Sequence, residues 1–137
     1  MPIILIPLIT VLVNDFLKII VNFFKTGKFK LSLMFKSGGM PSGHTSFVIS
    51  ALTVVFLELG PGSVEFMITA VFAIIVIYDA RGIRRKTGYH AEILNKLQFL
   101  KKLDESLGHT NFEVIMGFIF SVLFSFFLWK TGYFVVY

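Results

Sequence analysis

Four long apolar segments constrain this chain more than any other feature of its sequence. They cover residues 3–24, 44–59, 64–78 and 114–135. A membrane-spanning helix needs about 20 mostly apolar residues. The second segment is short, and Gly60-Pro61-Gly62, a strong turn signal, separates it from the third. The spacing therefore predicts four transmembrane helices, of which the second and third form an antiparallel hairpin.

The composition favours a membrane protein and argues against other classes. Hydrophobic residues make up 55% of the 137 residues and charged residues only 15%, whereas soluble domains average about 25% charged residues. The 17 phenylalanines exclude a disordered chain, and the absence of cysteine excludes disulfides and cysteine-based catalysis. A net charge of +5 in so apolar a chain indicates contact with lipid head groups and not with nucleic acid. The length predicts a single domain, residues 1–137.

The polar stretch between the third and fourth segments, residues 79–109, contains the pattern of an amphipathic helix. Its apolar residues recur at spacings of three and four: Ile93, Leu94, Leu97, Leu100, Leu103 and Leu107. We expect this helix to lie along the membrane surface or to cap the bundle. The sequence thus predicts an all-α integral membrane bundle of about four transmembrane helices plus a cytoplasmic amphipathic helix.

The basic residues are concentrated in two loops. The loops that join the first segment to the second and the third to the fourth hold 11 of the 13 lysines and arginines. Because cytoplasmic loops carry an excess of these residues, we expect a multi-pass protein of the cell membrane with both loops in the cytoplasm and both termini outside. So small a bundle leaves its outer faces to lipid or to a second copy, so a homodimer is an open alternative.

A first histidine motif, residues 38–46 with the sequence GGMPSGHTS, directly precedes the second apolar segment. It predicts Ser42 as the N-cap of a helix with His44 in the first turn. Such a helix start binds phosphate through its free N–H groups, and His44 could donate a proton to a bound ester there. The alternative is an ordinary capping turn with a histidine at the membrane interface.

A second histidine motif, residues 108–113 with the sequence GHTNFE, directly precedes the fourth apolar segment. On a helix, His109 and Glu113 would lie on the same face. A carboxylate on one imidazole nitrogen fixes the tautomer and leaves the other nitrogen as a nucleophile or base. A solvated pair at a helix start is the alternative. Because the predicted topology puts His44 and His109 at the same membrane face, the two motifs together favour chemistry.

Charged residues follow the third apolar segment. Arg84 and Arg85 could clamp a phosphate through bidentate hydrogen bonds, although arginines also commonly flank a span on the cytoplasmic side. Asp79 lies at the apolar boundary, where a carboxylate usually faces a partner or a cavity. Our hypothesis is that Asp79 belongs to a buried network with Lys18 or an arginine.

The first apolar segment contains polar residues of its own. Asn14, Lys18 and Asn22 recur every four residues, and Asp15 lies three residues before Lys18. Charges within a membrane are costly unless they are partnered. The set is therefore either a functional site or a structural pair that holds the bundle in register.

The motifs together resemble those of the type-2 phosphatidic acid phosphatase family, relatives of the vanadium haloperoxidases. The resemblance rests on Pro41-Ser42-Gly43-His44 and on Gly108-His109-x-x-x-Glu113. A compact divergent branch of the family matches better, through the additional blocks Tyr78-Asp79-Ala80, Gly82-Ile83-Arg84-Arg85 and Leu94-Asn95. The blocks occur in the expected order and span residues 38–117.

The resemblance implies roles for individual residues. His109 would be the nucleophile that attacks phosphorus, Glu113 its orienting carboxylate, and His44 the general acid that protonates the leaving alkoxide. Ser42 and the backbone at Gly43 would hold phosphate oxygens. The family needs no metal or other cofactor, because positive side chains neutralise the phosphoryl charge.

The chain departs from the family pattern in two ways. Its first motif, a lysine followed after six residues by Arg-Pro, is absent, because no Arg-Pro occurs in the chain. Lys18 or Lys36 would fill the role of that lysine. Leu103 stands six residues before His109, where the family has arginine, so Arg84 or Arg85 would have to substitute for it.

The predicted function is that of a lipid phosphatase, either a phosphomonoesterase or a diphosphatase. It would act on a lipid phosphate at the cytoplasmic face through a phosphohistidine intermediate. One alternative is a non-catalytic protein that binds anionic lipid through its arginine and lysine clusters. Another is a small transporter or channel subunit, with a polar path formed by Asn14, Asp15, Lys18 and Asp79.

Overall fold

The computed structural model describes residues 2–35, 38–97, 103, 105 and 107–132, and every regular element among these residues is helical. The five α-helices are α1 (Leu5–Thr26), α2 (Gly43–Leu59), α3 (Val64–Tyr78), α4 (Arg84–Lys96) and α5 (Asn111–Lys130). A 3₁₀ helix, Leu31–Phe35, follows α1, and a π-helical turn, Asp79–Ile83, joins α3 to α4. The predicted all-α class is confirmed.

Three helices in the described part of the chain are long and apolar enough to cross a membrane. They are α1, the continuous helix Val64–Lys96 formed by α3, the π turn and α4, and α5. Helix α2 is apolar but has only 17 residues, a length of about 26 Å, against a hydrocarbon thickness of about 30 Å. The structure thus gives three helices of spanning length and one shorter apolar helix, where four spans were expected.

Helix α2 lies at the centre of the bundle and packs against α1, α3 and α5. Val48, Ile49 and Ala73 form a small apolar cluster between α2 and α3. Much of the described interior is nevertheless polar, since the following side chains are fully buried: Thr10, Asn14, Ser46, Ser50, Ser121 and Ser125. Large apolar side chains cover the outside of the helices. This distribution suits an outer surface in contact with lipid.

Small residues allow α2 and α5 to approach each other closely. The hydroxyl oxygens of Ser46 and Ser121 lie 2.7 Å apart, and those of Ser50 and Ser125 lie 2.6 Å apart. We call these four residues the serine ladder. One turn before Ser121, a Cβ on Gly117 would lie 2.8 Å from the carbonyl oxygen of Ser42. Small residues at every fourth position are typical of helix pairs in membranes.

Helix α4 differs from the predicted amphipathic helix. It ends at Lys96, so Leu103 and Leu107 lie outside any helix, and Leu100 lies outside the described residues. The Asn95 side chain donates to the Leu103 carbonyl at 2.9 Å and accepts the Leu103 N–H at 2.8 Å. These bonds return the chain toward the end of α4, so the predicted extension of the helix to residue 107 was wrong.

Candidate active site

Ser42 caps α2 and connects the first histidine motif to α5. Its Oγ accepts the N–H of Thr45 at 3.3 Å and the Thr45 hydroxyl at 3.0 Å, which confirms the predicted N-cap. The Ser42 N–H donates to the Glu113 carbonyl at 3.1 Å. These contacts fix the start of α2 and place His44, which is half-buried, in its first turn.

His109 lies two residues before α5 and is almost fully buried, with 1% of its surface exposed. Its backbone N–H donates to the Ala80 carbonyl at 3.0 Å. Its Nδ1 lies 3.4 Å from Glu113 Oε2, which is an ion-pair distance, although Nδ1 has no partner of hydrogen-bond geometry among the described residues. The helix begins only at Asn111, so the predicted pair forms across the N-terminus of α5 and not along a helix face.

Glu113 is oriented by a capping box with Thr110. The Thr110 N–H donates to Glu113 Oε2 at 2.9 Å, and the Glu113 N–H donates to Thr110 Oγ1 at 3.3 Å. The pattern Thr-x-x-Glu before an apolar run predicts this motif, so the sequence contained a signal for it. One carboxylate oxygen therefore contacts the Thr110 N–H and faces the His109 ring.

A cavity of about 470 Å³ brings most of the predicted residues together. His44 and His109 both line it, and their ring centroids lie 5.6 Å apart with the ring planes at 65°. Gly43, Asp15, Lys18 and Arg84 complete its polar part. No cluster of three or more His, Asp or Glu side chains in the described ranges is arranged to hold a metal ion.

Lys18 reaches the cavity from α1 as half of a buried ion pair. Its Nζ lies 2.8 Å from Asp15 Oδ1, and 5% of its side chain is exposed. Removing one partner from so buried a pair would leave an uncompensated charge, which is strongly destabilising. Asp15 in turn lies against Gly43, where a Cβ would come within 2.9 Å of the carboxylate oxygen. The pair thus joins α1 to the start of α2 beside the two histidines.

Arg84 lines the same cavity and pairs with Asp79 in the π turn. The distance from Arg84 Nε to Asp79 Oδ2 is 3.2 Å, and the two side chains are 46% and 42% exposed. The hypothesis of an arginine partner for Asp79 is confirmed. The hypothesis of a buried network was wrong, because both side chains are half-exposed and Lys18 pairs with Asp15 on its own helix.

Three predicted phosphate-binding residues are not among those that line this cavity. Arg85 lines a smaller cavity of about 160 Å³ together with Glu113, and its guanidinium lies 5.9 Å from the Tyr89 ring centroid. Ser42 is fully buried and directly precedes the cavity-lining Gly43 in the chain. Lys36 lies outside the described residues.

The remaining lining of the large cavity is apolar. It consists of Val11, Met34, Phe47, Val48, Phe72 and Val76. Five of the six belong to α1, α2 and α3, and Met34 belongs to the 3₁₀ helix Leu31–Phe35. These residues could not be identified from the sequence. The spacing of apolar residues is the same whether they face a cavity, lipid or the protein core.

The fold and the cavity define a class of protein: a helical membrane protein with a cavity that combines two histidines, a lysine, an arginine and an aspartate with apolar side chains. The model of the divergent PAP2 family matches residues 1–124, and the chain belongs to that family. This match confirms the resemblance found in the motifs.

One relative of the chain is itself described as a membrane protein. The chain is 35% identical to the uncharacterized membrane protein YuiD of Bacillus subtilis (strain 168), and the match covers 78% of this chain and 80% of that protein. No solved structure matches the chain significantly.

Proposed function

We propose that the protein is a membrane-embedded lipid phosphatase that hydrolyses a phosphate monoester or diphosphate at the cytoplasmic face. The observation that carries this proposal is the pairing of His44 and His109, with ring centroids 5.6 Å apart, in a cavity with mostly apolar walls. A lipid phosphate has the same two parts, a charged head group and an apolar chain.

His109 would act as the nucleophile. Its Nδ1 faces Glu113, so Nε2 is the nitrogen that attacks phosphorus. As the P–N bond forms, the P–O bond to the lipid breaks. Glu113 keeps the ring in one orientation and stabilises the positive charge that develops on it, as the carboxylate of a catalytic triad does.

His44 would act as the general acid and then as the general base. In the first step its proton passes to the leaving oxygen, which becomes the lipid alcohol when the substrate is a monoester. In the second step neutral His44 takes a proton from the water that attacks the phosphohistidine. The P–N bond breaks, inorganic phosphate leaves, and both histidines return to their starting states.

Lys18 and Arg84 would neutralise the phosphoryl oxygens. Each cation has a carboxylate partner within the protein, Asp15 for Lys18 and Asp79 for Arg84. The N–H groups at the start of α2, near Gly43, would add donors at the positive end of the helix dipole. In this arrangement Arg84 takes the place of the family arginine that Leu103 replaces.

The apolar chain of the substrate would lie along α2. Helices α1 and α3 both pack against α2, and Val11 of α1 and Phe72 of α3 line the cavity. A chain in this groove would place its phosphate at the level of the histidines and remain between apolar side chains. The geometry therefore supports a lipid substrate over a small soluble phosphate ester.

The test is phosphate release by purified protein in detergent, measured across phosphatidic acid, phosphatidylglycerol phosphate, phosphoinositides and isoprenyl diphosphates. His109→Ala should abolish release and prevent formation of a phosphoenzyme. His44→Ala should slow lipid substrates but be partly rescued by a nitrophenyl phosphate ester, whose leaving group needs little protonation. His90→Ala is the matched control, because His90 is exposed on α4 and does not line the cavity. Full activity of His109→Ala would overturn the mechanism.

A protein that binds anionic lipid without hydrolysing it is the second candidate. The observation in its favour is Leu103 at the position where the family has arginine. Such a protein would bind phosphatidic acid vesicles equally well with and without His109, but would lose binding when Arg84 and Arg85 are both replaced. A transporter would instead show flux in liposomes that depends on Asp15 and Lys18.

A further inference from the structure

We propose that the π-helical turn Asp79–Ile83 is a positioning device for His109, and that Gly108 is the residue that permits it. The effect of the turn on catalysis rests on the proposed function, in which His109 is the nucleophile. The geometry of the turn itself is independent of the reaction. Side chains of the turn need not touch the substrate, since the contact to His109 is made by the backbone.

The π turn changes which backbone groups are paired. In an α-helix the N–H of Arg84 would bond to the carbonyl four residues back, that of Ala80. Here the Arg84 N–H donates to the Asp79 carbonyl, five residues back. The Ala80 carbonyl accepts the N–H of His109 at 3.0 Å instead. A local irregularity in one helix thus supplies an acceptor for the residue before another helix.

Gly108 lies too close to the turn for any side chain. A Cβ at this position would lie 2.6 Å from the Ala80 oxygen and 2.6 Å from the Arg85 nitrogen. The preceding residue is confined as well, because a Cβ on Gly38 would lie 2.7 Å from the Leu107 oxygen. The backbone leading into His109 is therefore in close contact with both the π turn and Gly38 of the first histidine motif.

The same turn sets the position of a cation in the cavity. Asp79 begins the turn, Arg84 follows it, and the two side chains are paired. The turn therefore fixes the Ala80 carbonyl that holds His109 and the start of α4 that carries Arg84. Turns of this kind are frequent at functional sites, and here one turn couples the nucleophile to the phosphate-binding arginine.

Gly108→Ala tests the proposal, with phosphatidic acid in detergent as substrate. The added methyl must move the backbone of His109, and a displacement of about 1 Å can cost roughly 100-fold in rate. We expect kcat to fall by about this factor while KM and binding of a non-hydrolysable phosphonate analogue stay near wild type. Gly62→Ala is the control, because a Cβ there meets no atom within 4 Å. Wild-type kcat in a folded Gly108→Ala protein would overturn the proposal but leave the proposed function standing.

Amide hydrogen exchange provides a second measurement that needs no activity. The His109 amide should be protected in the wild type and lose this protection in Gly108→Ala. Exchange of the wild-type His109 amide as fast as that of the exposed Gly62 would overturn the proposal, even if Gly108→Ala failed to fold. If the wild type hydrolyses none of the lipids while the His109 amide is protected, the proposed function fails and the backbone arrangement stands.

Discussion

At the scale of single residues, Glu113 combines a structural and a chemical contact in one carboxylate. Its Oε2 accepts the Thr110 N–H at 2.9 Å and lies 3.4 Å from His109 Nδ1. The first contact caps α5, and the second orients the proposed nucleophile. The two contributions are separable, because glutamine can form a capping box but carries no negative charge.

We predict that Glu113→Gln lowers activity much more than stability. The capping box should survive, so the melting temperature in detergent should stay close to wild type. Phosphate release should fall at least about tenfold, since a neutral amide cannot stabilise an imidazolium as a carboxylate does.

Thr110→Ala is the matched variant for this comparison. Loss of the cap should cost about 1 kcal/mol of unfolding free energy and leave more of the rate than Glu113→Gln does. Both variants are compared by thermal unfolding and by phosphate release. A Glu113→Gln protein with wild-type activity would show that the carboxylate plays no part in catalysis.

The proposed catalytic residues were recognised from the sequence, whereas the surroundings of Asp79 were not. His44, His109 and Glu113 were identified because titratable residues are rare in so apolar a chain and these lie at helix starts. Asp79 was assigned to a buried network because a charge near the membrane needs a partner. The exposure of that partner depends on packing between helices, which spacing along the chain does not reveal.

At the scale of the helices, the serine ladder explains how α2 and α5 hold together. Within lipid the hydrophobic effect does not drive two apolar helices together, so close packing and hydrogen bonds take its place. The ladder provides both, with oxygen–oxygen distances of 2.7 and 2.6 Å between the helices. Gly117 extends the close approach to Ser42, at the start of the candidate site.

We predict a graded loss of stability at Ser121. Ser121→Ala removes one hydrogen bond between helices, for which about 0.6 kcal/mol is typical. Ser121→Leu should cost more, about 1–3 kcal/mol, because the larger side chain must separate α5 from α2. Leu123→Ala is the control, since Leu123 is 65% exposed on the lipid-facing side of α5. Equal unfolding free energies for the three variants in detergent would contradict the role of the ladder.

Long elements were predicted well, and irregular ones were not. The four apolar segments correspond to α1, α2, α3 and α5, because long apolar runs in a membrane protein have few alternatives to a helix. The end of α4 at Lys96 and the hydrogen bonds of Asn95 to Leu103 leave no trace in the apolar spacing, and neither does the π turn. The small residues of α2 and α5, by contrast, recur at every fourth position in the sequence. This pattern could have predicted the close packing of the two helices.

At the scale of the whole molecule, the orientation in the membrane is open to direct measurement. Eleven of the 13 basic residues lie in the two stretches of sequence that join the first apolar segment to the second and the third to the fourth. Arg84, from the second of these stretches, lines the cavity together with Lys18, His44 and His109. The positive-inside rule therefore predicts that the mouth of the cavity faces the cytoplasm. Because the chain has no cysteine, a single introduced cysteine reports on its own position without background.

We predict opposite labelling of two single-cysteine variants by a membrane-impermeant maleimide. Gly62→Cys, in the exposed turn between α2 and α3, should react in intact cells. Lys28→Cys, in the exposed loop after α1, should react only after the cells are permeabilised. The cysteine-free wild type is the control for unspecific labelling. Reaction of Lys28→Cys in intact cells would place the cavity mouth outside and contradict the orientation.

Helix α2, at about 26 Å, is roughly 4 Å shorter than the hydrocarbon core of a typical bilayer. Although α2 is the central helix, its Phe47, Phe56 and Leu59 side chains remain exposed at the bundle surface. This difference in length is a hydrophobic mismatch, and local thinning of the bilayer is one way to accommodate it. His44 lies at the N-terminal end of this helix, so the thinned region would bring lipid head groups nearer to the imidazole. The length of one helix would thereby shorten the path of a phosphate from the interface into the cavity.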